Sequence, residues 1–218
     1  MSLRIGCVKV VGTPGNKAAK KNKQFAVAPA QVSLTHTSHL THMALILGSA
    51  NCVFEDKARA LALFKPDYIF CTNDFGVDYP EAFDHWCTMH PDKLVGWVRA
   101  RRKAGRPDAK QLWIPQHRNP PKELTGLVRQ SPSRGGSSGL LCCMVVLKIL
   151  NCRAVLAGVP MKVGNAHYNS PKPWTDAVHY ISAWRQSQRE LDGRIKSMSG
   201  WTKELLGEPT PGWLYGSK

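Results

Sequence analysis

Blocks of apolar residues alternate with amphipathic blocks from residue 43 onward, and this alternation predicts strands and helices in turn. The apolar run 43–47 is followed by a Gly-Ser-Ala-Asn turn at 48–51, a helical pattern over 53–64 and a second apolar run at 68–72. These blocks make one βαβ unit of about 30 residues, the length of a crossover between parallel strands. The pattern therefore indicates a parallel sheet whose strands are joined by helices.

The same alternation continues along the chain. Further strands are predicted at 85–89, 111–114 and 153–159, and further helices at 91–103, after the turn 135–139, at 174–195 and at 202–206. Strands separated by helices in short connections predict the α/β class, with a doubly wound and mainly parallel sheet. The predicted organisation is an arm over residues 1–42, one nucleotide-binding domain over 43–200, and a C-terminal helix with a Pro-rich tail over 201–218.

The net charge of +15 comes from two segments rather than from the whole chain. Residues 1–42 carry six bases and no acid, which makes the arm basic, and residues 93–134 carry eleven bases against two acids. Basic segments attract anions of any kind, including nucleic acid, nucleotides and acidic glycans. The second segment supplies a candidate anion or nucleic-acid patch made of Arg99, Arg101, Arg102, Lys103 and Arg106.

Several classes of protein are disfavoured by what the sequence lacks. The seven cysteines form no C-x-x-C pair and lie mostly in apolar runs, so we expect reduced core residues. The histidines at 36, 39 and 42 and the aspartates at 74, 78 and 84 give no convincing metal site, so no metal is predicted. No apolar run reaches the ~20 residues of a membrane span, and no apolar signal segment opens the chain. These absences predict a cytoplasmic protein without a membrane span.

The Gly- and Ser-rich turn at 135–139 immediately precedes an apolar helix and is the most informative segment of the chain. Free backbone N–H groups at a helix start carry the positive end of the helix dipole, and they bind phosphate or carboxylate groups. The same residues also suit an ordinary helix cap, in which Ser137 or Ser138 accepts backbone hydrogen bonds and no ligand is bound. Taken alone, the turn leaves both interpretations open.

Small or polar residues directly follow three of the predicted strands. The turn 48–51 follows the first strand, Asn73 follows the second, and the segment 160–168 with His167 follows the strand at 153–159. Ligands of doubly wound sheets bind beyond the carboxyl ends of the strands. We therefore expect these residues to share one rim with the turn 135–139, which favours the anion-binding interpretation of that turn.

The residue types in two of these segments restrict the functions that they can have. The turn 48–51 has one glycine and no lysine, so it is neither a Walker loop nor a dinucleotide-binding G-x-G-x-x-G turn. His167 suits a general base, because the unperturbed pKa of histidine lies near neutrality. A histidine that merely bonds the loop backbone is the alternative, and the residues alone do not decide between the two.

Four motifs together resemble a known family. They are Leu45-Ile-Leu-Gly-Ser-Ala-Asn51, Phe70-Cys-Thr-Asn73, Gly136-Ser-Ser-Gly-Leu140 leading to Ala154-Val-Leu-Ala-Gly-Val159, and Asn165-Ala-His-Tyr168. The set is similar to bacterial sialyltransferases with a single Rossmann-like nucleotide-binding domain, and to the related domain of motility accessory factors and archaeal pterin pyrophosphokinases. The resemblance spans roughly residues 43–170 in short motifs. The turn 48–51 departs from the family, because it lacks the second glycine and the proline.

The resemblance implies a Rossmann-like fold and roles for individual residues. It implies contacts to a cytidine nucleotide from Gly48, Ser49, Asn51 and Asn73. It places three residues near the phosphate and donor sugar, namely Ser137, Ser138 and Gly139. His167 would deprotonate the acceptor hydroxyl, and Tyr168 would help to stabilise the departing phosphate. The implied reaction is direct displacement at the sugar carbon, with a nucleotide-sugar as substrate, no cofactor and no obligatory metal.

Other interpretations stay open on the sequence. The chain is also similar to small uncharacterised proteins of tailed bacteriophages and prophages, which share an ending like Lys196-Ser-Met-Ser-Gly-Trp-Thr202. Such a protein keeps the scaffold without the chemistry, and uses the basic arm to bind nucleic acid or a virion partner, in the host cytoplasm or the virion. Pyrophosphoryl transfer ranks third, since it needs clustered carboxylates for magnesium. The candidate partners are a nucleotide or nucleotide-sugar, an acidic glycan, nucleic acid, a virion protein and a second copy of the chain.

Overall fold

The described strands form one large sheet and one small hairpin. The computed structural model describes residues 42–175 and 177–216, so the predicted basic arm lies outside the described residues apart from His42. Seven strands form a sheet in which every neighbouring pair is parallel: β1 (Met43–Leu47), β2 (Tyr68–Thr72), β3 (His85–Cys87), β4 (Gln111–Pro115), β5 (Val128–Ser131), β6 (Arg153–Ala157) and β9 (Ile195–Ser197). A separate antiparallel hairpin pairs β7 (Ala166–His167) with β8 (Ser170–Pro173).

Helices lie between most of these strands, and two more follow β9. They are α1 (Val53–Leu63), α2 (Phe75–Asp78), α3 (Pro91–Lys103), α4 (Ser138–Val145), α5 (Ala177–Leu191), α6 (Gly200–Leu206) and α7 (Pro211–Tyr215). A 3-10 turn at Lys122–Leu124 precedes β5, and a π-helical turn at Val146–Leu150 continues α4.

The order of strands across the sheet is β5-β4-β3-β2-β1-β6-β9. The chain builds the sheet outward from β1 to β5, then returns to the other side of β1 with β6. The point between β1 and β6 is therefore a switch point, where doubly wound folds open a crevice beyond the strand ends. This topology confirms the predicted α/β, Rossmann-like class.

Both faces of the sheet are buried, which explains why its central strands are apolar throughout. Ala44 and Ile46 point to the core on the side of α4, whereas Leu45 and Leu47 point to the core on the side of α1. Every residue of β1 is buried. The period of two along the strand thus divides its side chains between two separate cores.

Several elements differ from the predicted ones, including three near the C-terminal end of the described residues. The long helix is Ala177–Leu191 rather than 174–195, because the chain turns at Gly193, whose φ of +69° suits glycine. Residues 195–197 then form β9 beside β6, a strand that the helical prediction absorbed. The predicted Pro-rich tail contains α7, which begins with Pro211 and a side-chain cap from Thr210.

The predicted basic patch loses one of its five members. Arg101 is fully buried, and its guanidinium donates hydrogen bonds to the backbone carbonyls of Gly76 (2.8 Å), Tyr79 (2.5 Å) and Glu81 (2.7 Å), and to that of Pro107. Arg101 is therefore a structural cation that holds α2 and the segment after it, not an anion contact. This assignment was wrong because residues on one helix face different directions, whatever the charge of the segment.

The other four members of the patch differ in how far they are engaged. Arg102 pairs with Asp108 (2.8 Å) and Arg106 pairs with Asp78 (3.1 Å). Arg99 and Lys103 are exposed on α3. Anion or nucleic-acid binding by these four residues stays a prediction.

The described residues can be compared with the expectations about cysteines, metal sites and membrane spans. The six described cysteines are free thiols and five of them are buried, while Cys7 lies outside these ranges. No group of three metal-ligating side chains is found among residues 42–175 and 177–216. No helix in the same ranges is long and apolar enough to cross a bilayer.

Candidate functional site

A cavity of about 520 Å³ opens beyond the carboxyl ends of β1, β2, β3 and β6. Its volume lies within the range of small-molecule sites in proteins. The cavity brings together seven of the nine predicted catalytic and nucleotide-binding residues: Gly48, Ser49, Asn73, Ser137, Ser138, Gly139 and His167. Asn51 and Tyr168 do not line it. Parallel strands place their following turns at one edge, and this is why residues so distant in sequence meet.

Close approach of two turns shapes the floor of the cavity. A Cβ atom at Gly48 would overlap the carbonyl oxygen of Gly158, so only glycine fits beside the end of β6. Gly158 has a φ of +69° and is held by Asp56, whose buried carboxylate accepts its N–H at 2.9 Å. Asp56 also accepts the Ser199 hydroxyl at 2.5 Å. The glycine of the turn 48–51 is thus explained by packing.

Asn73 is fixed by two hydroxyl groups from other elements. Its Oδ1 accepts Thr88 Oγ1–H at 3.0 Å and Ser138 Oγ–H at 2.7 Å. Each hydroxyl already accepts a backbone N–H, from His90 and Met89 respectively, so each has its own hydrogen to donate to Asn73. The side-chain oxygen is therefore fully used, and the amide NH₂ is the group that Asn73 can offer to a ligand.

The turn before α4 combines a cap with free donors. Ser137 caps the helix, because its Oγ accepts Leu140 N–H at 3.4 Å and also Trp184 Nε1–H at 3.2 Å. The predicted helix cap is therefore confirmed. It leaves the backbone N–H groups of Ser138 and Gly139 without an acceptor among the described residues, as at most helix starts. These two donors border the cavity, so the anion-binding interpretation is compatible with the cap and stays a prediction.

The hairpin β7–β8 carries His167 to the cavity. Tyr168 N–H donates to Ser49 O at 3.0 Å and Asn51 N–H donates to Ala166 O at 3.0 Å, which joins the hairpin to the turn after β1. These backbone contacts fix the position of His167. The role of Asn51 that the structure shows is this backbone contact, since its side chain is exposed outside the cavity.

His167 forms an ion-pair contact with Asp74. Its Nε2 lies 3.1 Å from Asp74 Oδ1, and its Nδ1 lies 2.6 Å from Asn169 Oδ1. The hydrogen bond to Asp74 raises the pKa of His167 above the usual value, although partial burial opposes the shift. Burial also acts to raise the pKa of Asp74, but the hydrogen bond and charge of His167 outweigh it and lower that pKa. The pair is therefore most stable as imidazolium and carboxylate.

Tyr168 points away from the cavity. Its hydroxyl donates to Asp78 Oδ2 at 2.5 Å and lies 3.2 Å from Asp74 O, and its ring meets the edge of Phe75 at 5.1 Å between centroids. Asp78 is also the partner of Arg106. In this arrangement the Tyr168 hydroxyl is engaged by a carboxylate, so the predicted contact to a departing phosphate lacks geometric support. The contacts of Tyr168 instead anchor the backbone beside His167.

The sequence interpretation missed Asp74 as the partner of His167, because the two residues are 93 positions apart. The available signal was that both follow strands of the same parallel sheet. It also missed the cavity residues contributed by β8 and α5, namely Lys172, Trp174 and Tyr180. Among the lining residues no carboxylate occurs and Lys172 is the one side chain with a permanent charge. The cavity therefore favours an anionic ligand.

Comparisons with known proteins agree with this architecture. No protein-family model matches the chain, and neither does any curated protein. Among solved structures, the sialyltransferase CST-II, crystallised with a trisaccharide acceptor and CMP, matches with a TM-score of 0.53 at 9% sequence identity. The match covers 81% of this chain and 88% of that one. At this identity the likeness concerns the fold, and the chain has a sialyltransferase-like, Rossmann-like fold.

Proposed function

We propose that the chain is a nucleotide-sugar-binding, glycosyltransferase-like protein that transfers a sugar from a cytidine nucleotide to an acceptor hydroxyl. The supporting observation is that one cavity without lining carboxylates contains the Asn73 amide, the first N–H groups of α4 and His167. CST-II, which has a similar fold, was crystallised in complex with CMP and a trisaccharide acceptor. The donor is a substrate in this proposal, and the reaction uses neither a cofactor nor a metal.

The nucleotide contacts follow from the hydrogen-bonding capacity of the cavity. Asn73 offers an NH₂ group, which suits an acceptor atom of the base or ribose. The N–H groups of Ser138 and Gly139 suit the phosphate, because they stand at the positive end of α4. These donors are held in place before the ligand arrives, so they stabilise the charge of the departing nucleotide with little reorganisation.

His167 acts in the proposal as the general base. Asp74 holds Nε2, which leaves Nδ1 to face the acceptor once the hydroxyl displaces the exposed Asn169 side chain. The acceptor oxygen loses its proton to Nδ1 and forms a bond to the sugar carbon, while the bond from that carbon to the phosphate oxygen breaks. Asp74 then stabilises the imidazolium that results.

A nucleotide thermal-shift panel tests the binding half of the proposal. CMP should raise the melting temperature by several degrees at saturating concentration, and UMP, AMP and GMP should raise it less. No shift with any nucleotide would contradict the proposal. Strongly salt-dependent binding to DNA or RNA in that case would favour the non-catalytic alternative.

His167→Ala tests the catalytic half. This variant should keep the CMP-induced shift and lose about 10² to 10⁴ of the rate of transfer or donor hydrolysis, which is the usual contribution of a general base. His117→Ala is a matched control, because His117 lies outside the cavity. Equal activity of the two variants would exclude His167 as the base.

A further inference from the structure

We infer that Trp174 and Tyr180, together with Lys172, form the acceptor subsite and that the acceptor is a sugar carrying a carboxylate or phosphate group. This inference rests on the proposed function and assigns a further part of the same cavity. All three side chains line it.

Trp174 and Tyr180 form a supported aromatic pair. Their rings stack at 6.0 Å between centroids with 24° between the planes, and both side chains are partly exposed. The backbone of Trp174 is tied to the preceding loop, because its N–H donates to Asn165 O at 2.8 Å and its carbonyl accepts Gly164 N–H at 3.0 Å. Tyr180 packs against the buried core beside α4. The pair is therefore a fixed surface rather than two mobile side chains.

The position of the pair relative to the phosphate donors follows from α5. Ala183 of α5 packs closely on Gly136, since a Cβ atom added to Gly136 would lie 3.1 Å from the Cβ of Ala183. The Trp184 indole N–H donates a hydrogen bond to Ser137 Oγ. Tyr180 lies one turn before these residues and shares their face of the helix. The aromatic pair thus continues the wall of the cavity from the turn before α4.

Asn73, Met89 and His90, which follow β2 and β3, line another part of the cavity. In the sheet order β3-β2-β1-β6, three strand spacings separate β3 from β6, which is about 14 Å. We assign the nucleotide to Asn73 and to the first N–H groups of α4, which are joined by the hydrogen bond between Ser138 and Asn73. The space beside the pair is left for the second substrate.

The chemistry of this part of the cavity selects the class of acceptor. Aromatic faces pack against the apolar C–H face of a sugar ring, while the hydroxyl groups of the ring remain at its edge. Lys172 is exposed on β8 and has no acidic partner among residues 42–175 and 177–216. An ammonium group beside an aromatic surface, in a cavity without carboxylates, favours a sugar that is itself anionic.

Matched pairs of simple sugars test this inference on the full chain saturated with CMP. The pairs are methyl glucuronide with methyl glucoside, methyl galacturonide with methyl galactoside, and glucose 6-phosphate with glucose. Calorimetric titration should show tighter binding of the charged member in at least one pair. Trp174→Leu should weaken that binding roughly tenfold and leave the affinity for CMP unchanged. Trp97→Leu, a partly exposed tryptophan outside the cavity, is the control.

Lys172→Gln isolates the charge. This variant should bind the anionic sugar roughly tenfold more weakly and bind its neutral counterpart with unchanged affinity, as expected for loss of a charged hydrogen-bonding partner. Lys162→Gln removes the same charge from an exposed position nearby that does not line the cavity.

The outcomes separate this inference from the proposed function. If CMP binds but Trp174→Leu lowers the affinity for CMP rather than for the sugar, the aromatic pair belongs to the nucleotide site and the inference is overturned. If CMP binds and no charged sugar binds better than its neutral counterpart, the inference is likewise overturned, while the nucleotide site stands. If CMP itself does not bind, the proposed function fails first.

Discussion

Asn73 Oδ1 accepts the hydroxyl of Ser138 at 2.7 Å, which joins two turns that are 65 residues apart in the chain. Asn73 directly follows β2 and Ser138 begins α4, so the contact connects the end of a strand to the start of a helix. Met89 N–H completes the arrangement by donating to Ser138 Oγ at 3.0 Å. One hydroxyl thereby sets both the orientation of the amide and the distance between the two turns.

Ser138→Ala should destabilise the protein and weaken nucleotide binding together. The change leaves the Met89 N–H without its acceptor and removes one donor from Asn73, at a free-energy cost of about 1 to 3 kcal/mol. Urea denaturation measures the stability and a CMP titration measures the binding. Ser182→Ala, at an exposed position on α5, should leave both within error. A stable Ser138→Ala protein with unchanged CMP affinity would show that this contact does not organise the site.

Transfer should follow the protonation of His167. Only the neutral ring accepts a proton, so activity should rise with pH through a pKa above the ordinary histidine value. Asp74→Asn removes the carboxylate that raises this pKa and should move the acidic limb of the kcat/KM profile to lower pH, with reduced kcat. Asp92→Asn, on the exposed first turn of α3, is the control. An unmoved limb in Asp74→Asn would exclude a functional role for the pair.

The same pair makes a pH-dependent contribution to stability. Because the folded pKa of His167 is raised, its contribution is fully present below the unfolded pKa of about 6.5 and is lost as pH rises through the folded value. The difference in unfolding free energy between the parent protein and His167→Gln should therefore shrink across that interval. Denaturation at a series of pH values measures it. A difference that grows with pH would contradict the charged form of the pair.

Gly48→Ala should prevent the two strand ends from meeting. The added methyl would overlap the carbonyl oxygen of Gly158, a backbone atom that cannot move aside alone. We expect a loss of stability of at least about 3 kcal/mol, or failure to fold, since overpacking costs about 1 to 3 kcal/mol even where side chains can yield. Gly96→Ala is the control, because its position on α3 is open and alanine favours a helix. Equal stability of the two variants would refute the close approach.

Arg101 and Arg99 should behave differently, although they are two positions apart on α3. Arg101→Met leaves the carbonyl groups of Gly76 in α2 and of Tyr79 and Glu81 after it without this donor, and we expect a loss of about 3 kcal/mol or more. Arg99→Met, at an exposed site, should change stability by no more than about 0.5 kcal/mol. Thermal and chemical denaturation of both variants measures the contrast. A tolerated Arg101→Met would return that residue to the predicted surface patch.

Local patterns predicted much of the framework. The run 68–72 and the helix 91–103 are reproduced by β2 and α3 with the same bounds. Apolar runs of strand length between amphipathic helices were enough for this, because the periodicity of each element shows which of its faces are buried. The common edge for the strand-end turns followed from the parallel class alone.

The sequence by itself thus determined the α/β class, the turn that caps α4 and the edge at which Gly48, Asn73 and His167 meet. The tertiary structure alone decided that Asp74 faces His167, that Arg101 is buried and that Trp174 stacks on Tyr180. Each of these contacts joins elements whose approach depends on how loops return across the sheet. The first two contacts join segments that are distant in the chain, and the third depends on where the start of α5 places Tyr180 relative to Trp174, so local spacing carries no record of them.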